Sequence, residues 1–390
     1  MKQAAVIGLT VLFSLVFCIQ IEAAEISGAD GTLDALIGNL AEFDTEEIQD
    51  FLNSMEEPSL ATVSFRDLME ELLRGNLMKV FEDGAAAIKS ILFSELKTNV
   101  GWIGQIFILA VIGAVFSGFS GIFGSGYISD TGFYMVYLLA MAFLASGFFT
   151  SINLASEVLQ TLLEFMKVLL PAYFMAMVMA GSAITSTAVC GFTLGAIGLI
   201  QSVLGQILIP FMRIYMIFIL AGNLYKEDMI SKLTELLGTV VVWTCRAMFG
   251  IVVGFQMIQS LVLPQADALK NSTALHLVQM IPGLGSGAGA VSQMVLGSGV
   301  LIKNTIGAAS VVLILLLSAI PVIKLAVLTG LYYMAAAAMQ PVCDKRLVAC
   351  MNGAAQGHSL LLKIVGYSLA LFSVTIAVLC VSTNAVWYTG

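Results

Sequence analysis

The sequence predicts an all-α integral membrane protein. The expected form is a polytopic helical bundle of about eight to ten spans with an internal duplication, preceded by a small extracytoplasmic helical segment. Three observations carry this. Mean hydropathy is +0.97 and only 11% of the 390 residues are charged, which fits no soluble globular class. From about residue 100 onward the chain is almost continuously apolar. The pattern there is never the strict alternation of a transmembrane β-barrel, so the spans are helices, which satisfy their backbone polar groups internally.

The N-terminal elements differ in character. Residues 1–24 read as a secretory signal: Lys2, an apolar stretch from Ala4 to Cys18, then small residues at Ala23 and Ala24. An uncleaved anchor is the competing reading, and both place the next segment outside the cytoplasm. That segment, 25–98, is acidic. Between Glu25 and Glu95 lie 16 of the 25 acidic residues and four of the 17 basic ones. Ser64-Phe65-Arg66-Asp67 has capping-box spacing, and Leu68, Leu72, Leu73, Leu77, Val80 and Phe81 follow at helical intervals. The apolar stripe needs a cover. Two candidates remain open: neighbouring helices of the same chain, or another extracytoplasmic surface.

The membrane body divides into a first pair of spans (99–156), a first repeat (157–268) and a second repeat with the C-terminus (269–390). Val100–Phe123 and Phe133–Ala155 are long enough to cross a bilayer. Val158–Gly181, Thr185–Gln206, Ile207–Leu224 and Leu236–Leu263 follow. Then come a Gly-rich stretch, Leu275–Val300, that is either a span or re-entrant, and Thr305–Ile320, Pro321–Met339 and Ser359–Val381. The duplication rests on register. Pro171 and Pro210 are 39 residues apart, as are Pro282 and Pro321, with a shift of 111 between the pairs. Arg213 and Lys324 each stand three residues after the second proline, and Thr193-Leu194-Gly195-Ala196 resembles Thr305-Ile306-Gly307-Ala308 with a one-residue slip. Coincidence in low-complexity apolar sequence is the alternative. Four segments per half make the halves parallel and place Lys226, Lys232, Lys303, Lys345 and Arg346 in cytoplasmic loops, with Lys270 alone outside, as the positive-inside rule prefers.

Candidate functional residues are the ions and the chain breaks. Arg213 and Lys324 either snorkel to headgroups or face a passage or partner. Arg246 sits near the middle of its span. Glu164 and Lys167, three residues apart on one helix, are a candidate mutual pair. These three are expected to face the bundle interior or a water-filled path. Gly283, Gly285 and Gly287 belong to a run that an ordinary helix tolerates poorly, since each Gly costs ~1 kcal/mol against Ala. A broken helix lining a cavity and an outer loop both fit. Gly191–Gly195 and Gly250–Gly254 have the spacing of close helix packing.

No P-loop, no H-E-x-x-H, no C-x-x-C and no G-x-S-x-G string occurs. His276 and His358 are far apart, and no nucleophile stands beside a base. The chain is therefore read as a non-enzyme that needs no cofactor and no metal. The net charge of −8 argues against nucleic acid as a partner. The six cysteines lie in or beside apolar stretches and imply buried thiols rather than a disulfide framework.

Three strings then carry a resemblance. Val300-Leu301-Ile302-Lys303-Asn304-Thr305-Ile306-Gly307, Ala319-Ile320-Pro321-Val322-Ile323-Lys324, and Gln340-Pro341 with Asp344 through Cys350-Met351-Asn352 are similar to the stage III sporulation protein AE family. So is the whole layout, over essentially the full chain. The resemblance implies a multi-pass protein of the mother-cell membrane around the forespore, with residues 25–98 extracytoplasmic. It implies membership of an export or feeding channel complex needed for endospore development. The implied partners are the other stage III A-operon proteins, including an ATPase and ring-forming subunits, and indirectly a forespore membrane protein, with membrane lipid around the body. It implies no catalytic residues. The alternative reading is an autonomous secondary transporter (permease) with duplicated halves.

Overall fold

The computed structural model describes residues 45–55, 64–73, 126–180, 183–223, 230–279, 285–341 and 343–382, with isolated helical positions between 93 and 115. The signal segment, most of Val100–Phe123, Lys226 and Gly283 lie outside the described residues. Among the described residues every regular element is helical. Two short helices come first, α1 (Glu46–Asn53) and α2 (Phe65–Leu73). The body is α3 (Gly126–Met179), α4 (Ala183–Ile200), a π-helical stretch (Gln201–Leu208), α5 (Ile209–Gly222), α6 (Ser231–Gln279), α7 (Gly285–Met339) and α8 (Lys345–Ser382).

Five helical stretches are long and apolar enough to cross a membrane: Tyr134–Met179, Ser186–Gly222, Ser231–Ser260, Gly297–Met339 and Lys345–Cys380. The protein is thus an all-α polytopic membrane protein. Each stretch exceeds the ~20 residues of one crossing. Several expected segments are fused: Phe133–Ala155 joins Val158–Gly181 in α3, and Thr305–Ile320 joins Pro321–Met339 in α7. Pro171 is inside α3 and Pro321 inside α7. In lipid, a helix containing Pro is less costly than an exposed irregular loop. Pro210 opens α5 directly after the π-helical turns, whose wider winding accommodates a ring that clashes with the carbonyl four residues back.

Contacts fix the directions. Tyr137 Oη donates to the Leu220 carbonyl (2.8 Å), so α3 and α5 meet near the start of one and the end of the other. A Cβ on Gly353 would stand 2.6 Å from Ile219, and one on Gly357 would stand 3.4 Å from Tyr215, so α5 and α8 are antiparallel. Gly238 faces Leu360, and Gln256 Nε2 donates to Thr375 Oγ1 (2.8 Å), so α6 and α8 run side by side in one direction. A shift of 111 carries Ser231–Gln279 to 342–390, over α8, and Ala183–Gly222 to 294–333, inside α7. The four segments expected in 157–268 are carried by the end of α3, the α4–α5 rod and α6, and those expected in 269–385 by α7 and α8.

Helix α7 is the axle. Ile302 to Ile314 is buried on every face, although it carries Lys303, Asn304, Thr305 and Ser310 among its apolar residues. α8 packs along it, and α3 and α6 flank the pair. The N-terminal helices dock here too. Ile48 and Leu52 of α1, and Phe65, Leu68, Met69 and Leu72 of α2, are buried in the same core, with the Phe51 ring 6.0 Å from that of Phe165 in α3. The Asp67 N–H donates to Ser64 Oγ (3.2 Å), and the Phe65 N–H to Gln49 Oε1 (3.0 Å). The described part of the acidic segment's apolar stripe, Leu68 and Leu72, is therefore covered by the chain's own membrane helices, and Leu77, Val80 and Phe81 lie outside the described residues.

Two expectations change. Lys303 is in no loop: it is fully buried in α7, at the end of the bundle opposite Lys232 and Lys345, and its Nζ donates to the Cys380 carbonyl (3.2 Å). The last carbonyls of α8 have no donor within their own helix, and a cation there satisfies one of them. Of the glycine run, Pro282, Gly283 and Leu284 lie outside the described residues. Gly285 and Gly287 stand in the first turn of α7, which continues unbroken to Met339. Among the described residues, the GxxxG pairs are not packing faces within the chain. A Cβ at Gly191, Gly195, Gly250 or Gly254 would meet nothing within 4 Å. The tight approach is at Gly299 instead, where a Cβ would stand 2.8 Å from the Met179 and Ala180 backbone.

Candidate functional site

The parallel pair α6 and α8 carries polar residues along a seam of otherwise apolar helices. On α8, Asn352, Gln356, Ser359 and Lys363 recur at intervals of four, three and four, which is one helix face. On α6, Glu235, Thr239 and Arg246 face them. Together with Tyr215 of α5 and Tyr333 of α7 they line a cleft of about 830 Å³. Its mouth is at Asn223 and Ser231, the end where Lys232, Lys345 and Arg346 stand. Asp344 caps α8 at this end, accepting from the Arg346 backbone N–H (2.9 Å) and pairing with its guanidinium (3.3 Å). The cleft runs inward to Arg246, ~22 Å along α6 from Ser231 at 1.5 Å per residue.

Two cations stand at the far end of the cleft, Lys363 half-buried and Arg246 exposed. Arg246 and Lys363 stand within electrostatic reach of each other. Among the described residues neither has a carboxylate within ion-pair distance. The nearest acid of the lining, Glu235, sits toward the mouth and is paired at 3.1 Å with exposed Lys232. One cation at the centre of a membrane helix costs ~2.5–3.5 kcal/mol on insertion scales. Both lie several turns from either helix end, too far to snorkel.

Beyond them the seam narrows. The rings of Phe249 (α6) and Tyr367 (α8) meet with centroids 6.3 Å apart and planes at 63°. On the far side is a second polar group, Gln256, Gln259, Thr193 and Thr375, around a space of about 10 Å³. That is roughly the volume one water requires. Gln256 Oε1 and Gln259 Nε2 have no protein partner there.

Of the residues the sequence singled out, the structure brings only Arg246 into this cleft. Arg213 is exposed on the outside of α5, and Lys324 is half-buried in α7. Glu164 and Lys167 are both exposed and make no ion pair with each other. Leu162, Leu163, Phe165 and Met166 take the buried faces of α3, which turns 164 and 167 outward rather than toward the bundle interior. Lys363, Gln356 and Ser359 escaped sequence reading. Their signal was the polar 4-3-4 spacing, which the expected start of the last span at Ser359 cut in two.

The buried group around His358 is a closed structural set. His358 Nδ1 donates to the Ala354 carbonyl (2.8 Å), and its Nε2 accepts from the Ser151 hydroxyl (3.0 Å). Its ring stacks on Tyr332 (4.2 Å) and meets the Phe148 edge (5.1 Å). No group of three potential metal ligands occurs among the described residues.

Comparison with known proteins places this architecture. A family model described as stage III sporulation protein AE matches residues 63–383. The chain is similar to stage III sporulation protein AE of Bacillus subtilis (strain 168), 23% identical over 318 residues, covering 80% of this chain and 79% of the relative. No solved structure matches. The match takes in α2, every long membrane helix and the whole α6–α8 seam, and by it the chain belongs to the stage III sporulation protein AE family.

Proposed function

We propose that this protein is a multi-pass subunit of a sporulation-specific export or feeding channel between mother cell and forespore, and that its α6–α8 seam forms part of the passage. The observation that carries the reading is the seam itself: a cleft of about 830 Å³ lined by amides, hydroxyls and two cations inside a membrane body. Polar groups at that depth are costly unless they face water or a ligand. Family membership supplies the sporulation context. The Lys232, Lys345 and Arg346 end is the cytoplasmic side by the positive-inside rule, which opens the cleft to the mother-cell cytoplasm and puts α1 and α2 toward the intermembrane space. The Phe249–Tyr367 pair is the barrier across the seam, and a partner is what opens it. Fitting partners are the ATPase and ring-forming proteins of the same stage III A set.

Co-purification tests the assembly. Removal of residues 25–98 is expected to leave membrane insertion intact and to abolish recovery of the partners. Unchanged recovery counts against the proposal. Solute flux by the purified protein alone in liposomes would favour the autonomous permease instead.

A further inference from the structure

We propose that the inner end of the cleft is a binding site for a small oxyanion, a phosphate or carboxylate group held between Arg246 and Lys363. The inference deepens the passage reading, since it names the class of group that enters the seam. Arg246 and Lys363 face each other from adjacent helices and line one cavity. Among the described residues no carboxylate neutralises either of them, so their mutual repulsion in a low-dielectric body is unrelieved by the protein. The guanidinium fork of Arg246 suits two oxygens of one oxyanion, and the Lys363 ammonium adds a point charge.

Neutral donors complete the set. The Asn352 and Gln356 amides and the Ser359 hydroxyl continue the Lys363 face of α8 toward the mouth. Glu235 stands near the mouth, eleven residues before Arg246, so the lining grows more positive with depth. A cation would meet the opposite gradient. Two sources present the same chemistry: a free phosphate-bearing solute from the cytoplasm, or the phosphodiester of an anionic lipid reaching in from the bilayer.

The test uses the full chain in nanodiscs and reads thermal stability. One arm titrates inorganic phosphate in phosphatidylcholine discs. The other replaces phosphatidylcholine by phosphatidylglycerol without phosphate. The expected result is a saturable rise in Tm in at least one arm. Response to phosphate identifies a free solute as sufficient, and response only to phosphatidylglycerol identifies the lipid headgroup. In the R246Q/K363Q variant the apparent affinity is expected to fall at least tenfold. R246K/K363R, which keeps both charges, is expected to stay within a few-fold of wild type and controls for folding. The absence of a saturable response in both arms, or equal responses in wild type and R246Q/K363Q, overturns the site. Partner recovery on the same variants separates the two proposals: an R246Q/K363Q protein that assembles normally but no longer binds phosphate leaves the subunit reading standing and supports the site. Wild-type protein that assembles but ignores both probes fails the site alone.

Discussion

At the scale of single residues, glycine divides into two kinds, and the chain's 36 glycines cannot be sorted by spacing. Gly299 lies against the Met179–Ala180 backbone, where a Cβ would stand at 2.8 Å and nothing flexible can yield. Gly299→Ala is expected to lower stability by ~1–3 kcal/mol, the range for overpacking. Gly250→Ala faces open space and is expected to be neutral or to gain up to ~1 kcal/mol from helix propensity. Thermal melting of the two variants in detergent checks both, and equal effects contradict the packing. Ser151→Ala removes the partner of His358 Nε2 in a fully buried site. A loss of ~1–3 kcal/mol is expected by the same melt, as for a buried polar atom left unpaired. The GxxxG strings misled because spacing shows that a face is small, not that a neighbour stands against it.

At the scale of elements, helix identity was legible and helix ends were not. Apolar runs identified the chain as an all-α membrane protein, since hydrocarbon leaves a backbone little choice, but the eight to ten expected spans appear among the described residues as five longer stretches. Pro321 read as the start of a span and lies inside α7, and the boundary expected between Ala155 and Val158 is crossed without interruption by α3. Lys303 read as a loop residue because a lone Lys is normally expelled from lipid, yet the C-terminal carbonyl of α8 holds it in the core. The N-terminal helices show a different limit. Their stripe declared that it needs a partner, but only the structure names α3 and α7. Each Leu or Phe buried there contributes ~1.5–3 kcal/mol. Phe65→Asp is therefore expected to detach α2, read as new protease cleavage between residues 45 and 73 with the membrane body intact. The Phe249–Tyr367 contact is likewise an element-scale device, closing the seam between two helices. Replacing both by Ala is expected to make a cysteine at Gln256 reactive to a water-soluble thiol reagent applied from the cleft side. Unaltered protection at Gln256 would show that the rings are not the barrier.

At the scale of the whole molecule, two like-oriented helices, α6 and α8, bring their polar faces together at one interface. The sequence announced the ingredients on each helix separately. Arg246 was visible as an ion in the middle of a span, and Asn352 as part of a family string. Their convergence depends on the parallel pairing of helices more than a hundred residues apart, which no local pattern encodes. The consequence, among the described residues, is a polar furrow beside an apolar surface on which Ile251, Met257, Ile258 and Val262 are exposed on α6.

That furrow is most directly tested by cysteine accessibility in native membranes. Single cysteines are placed at Gln356 and Ser359 in the cleft, and at Ile251 and Met257 outside it, in a background with the native cysteines replaced. A membrane-impermeant thiol reagent supplied on the cytoplasmic face is expected to label 356 and 359 and to leave 251 and 257 unmodified. Labelling of neither cleft position, or equal labelling of all four, would contradict a water-filled cleft between α6 and α8.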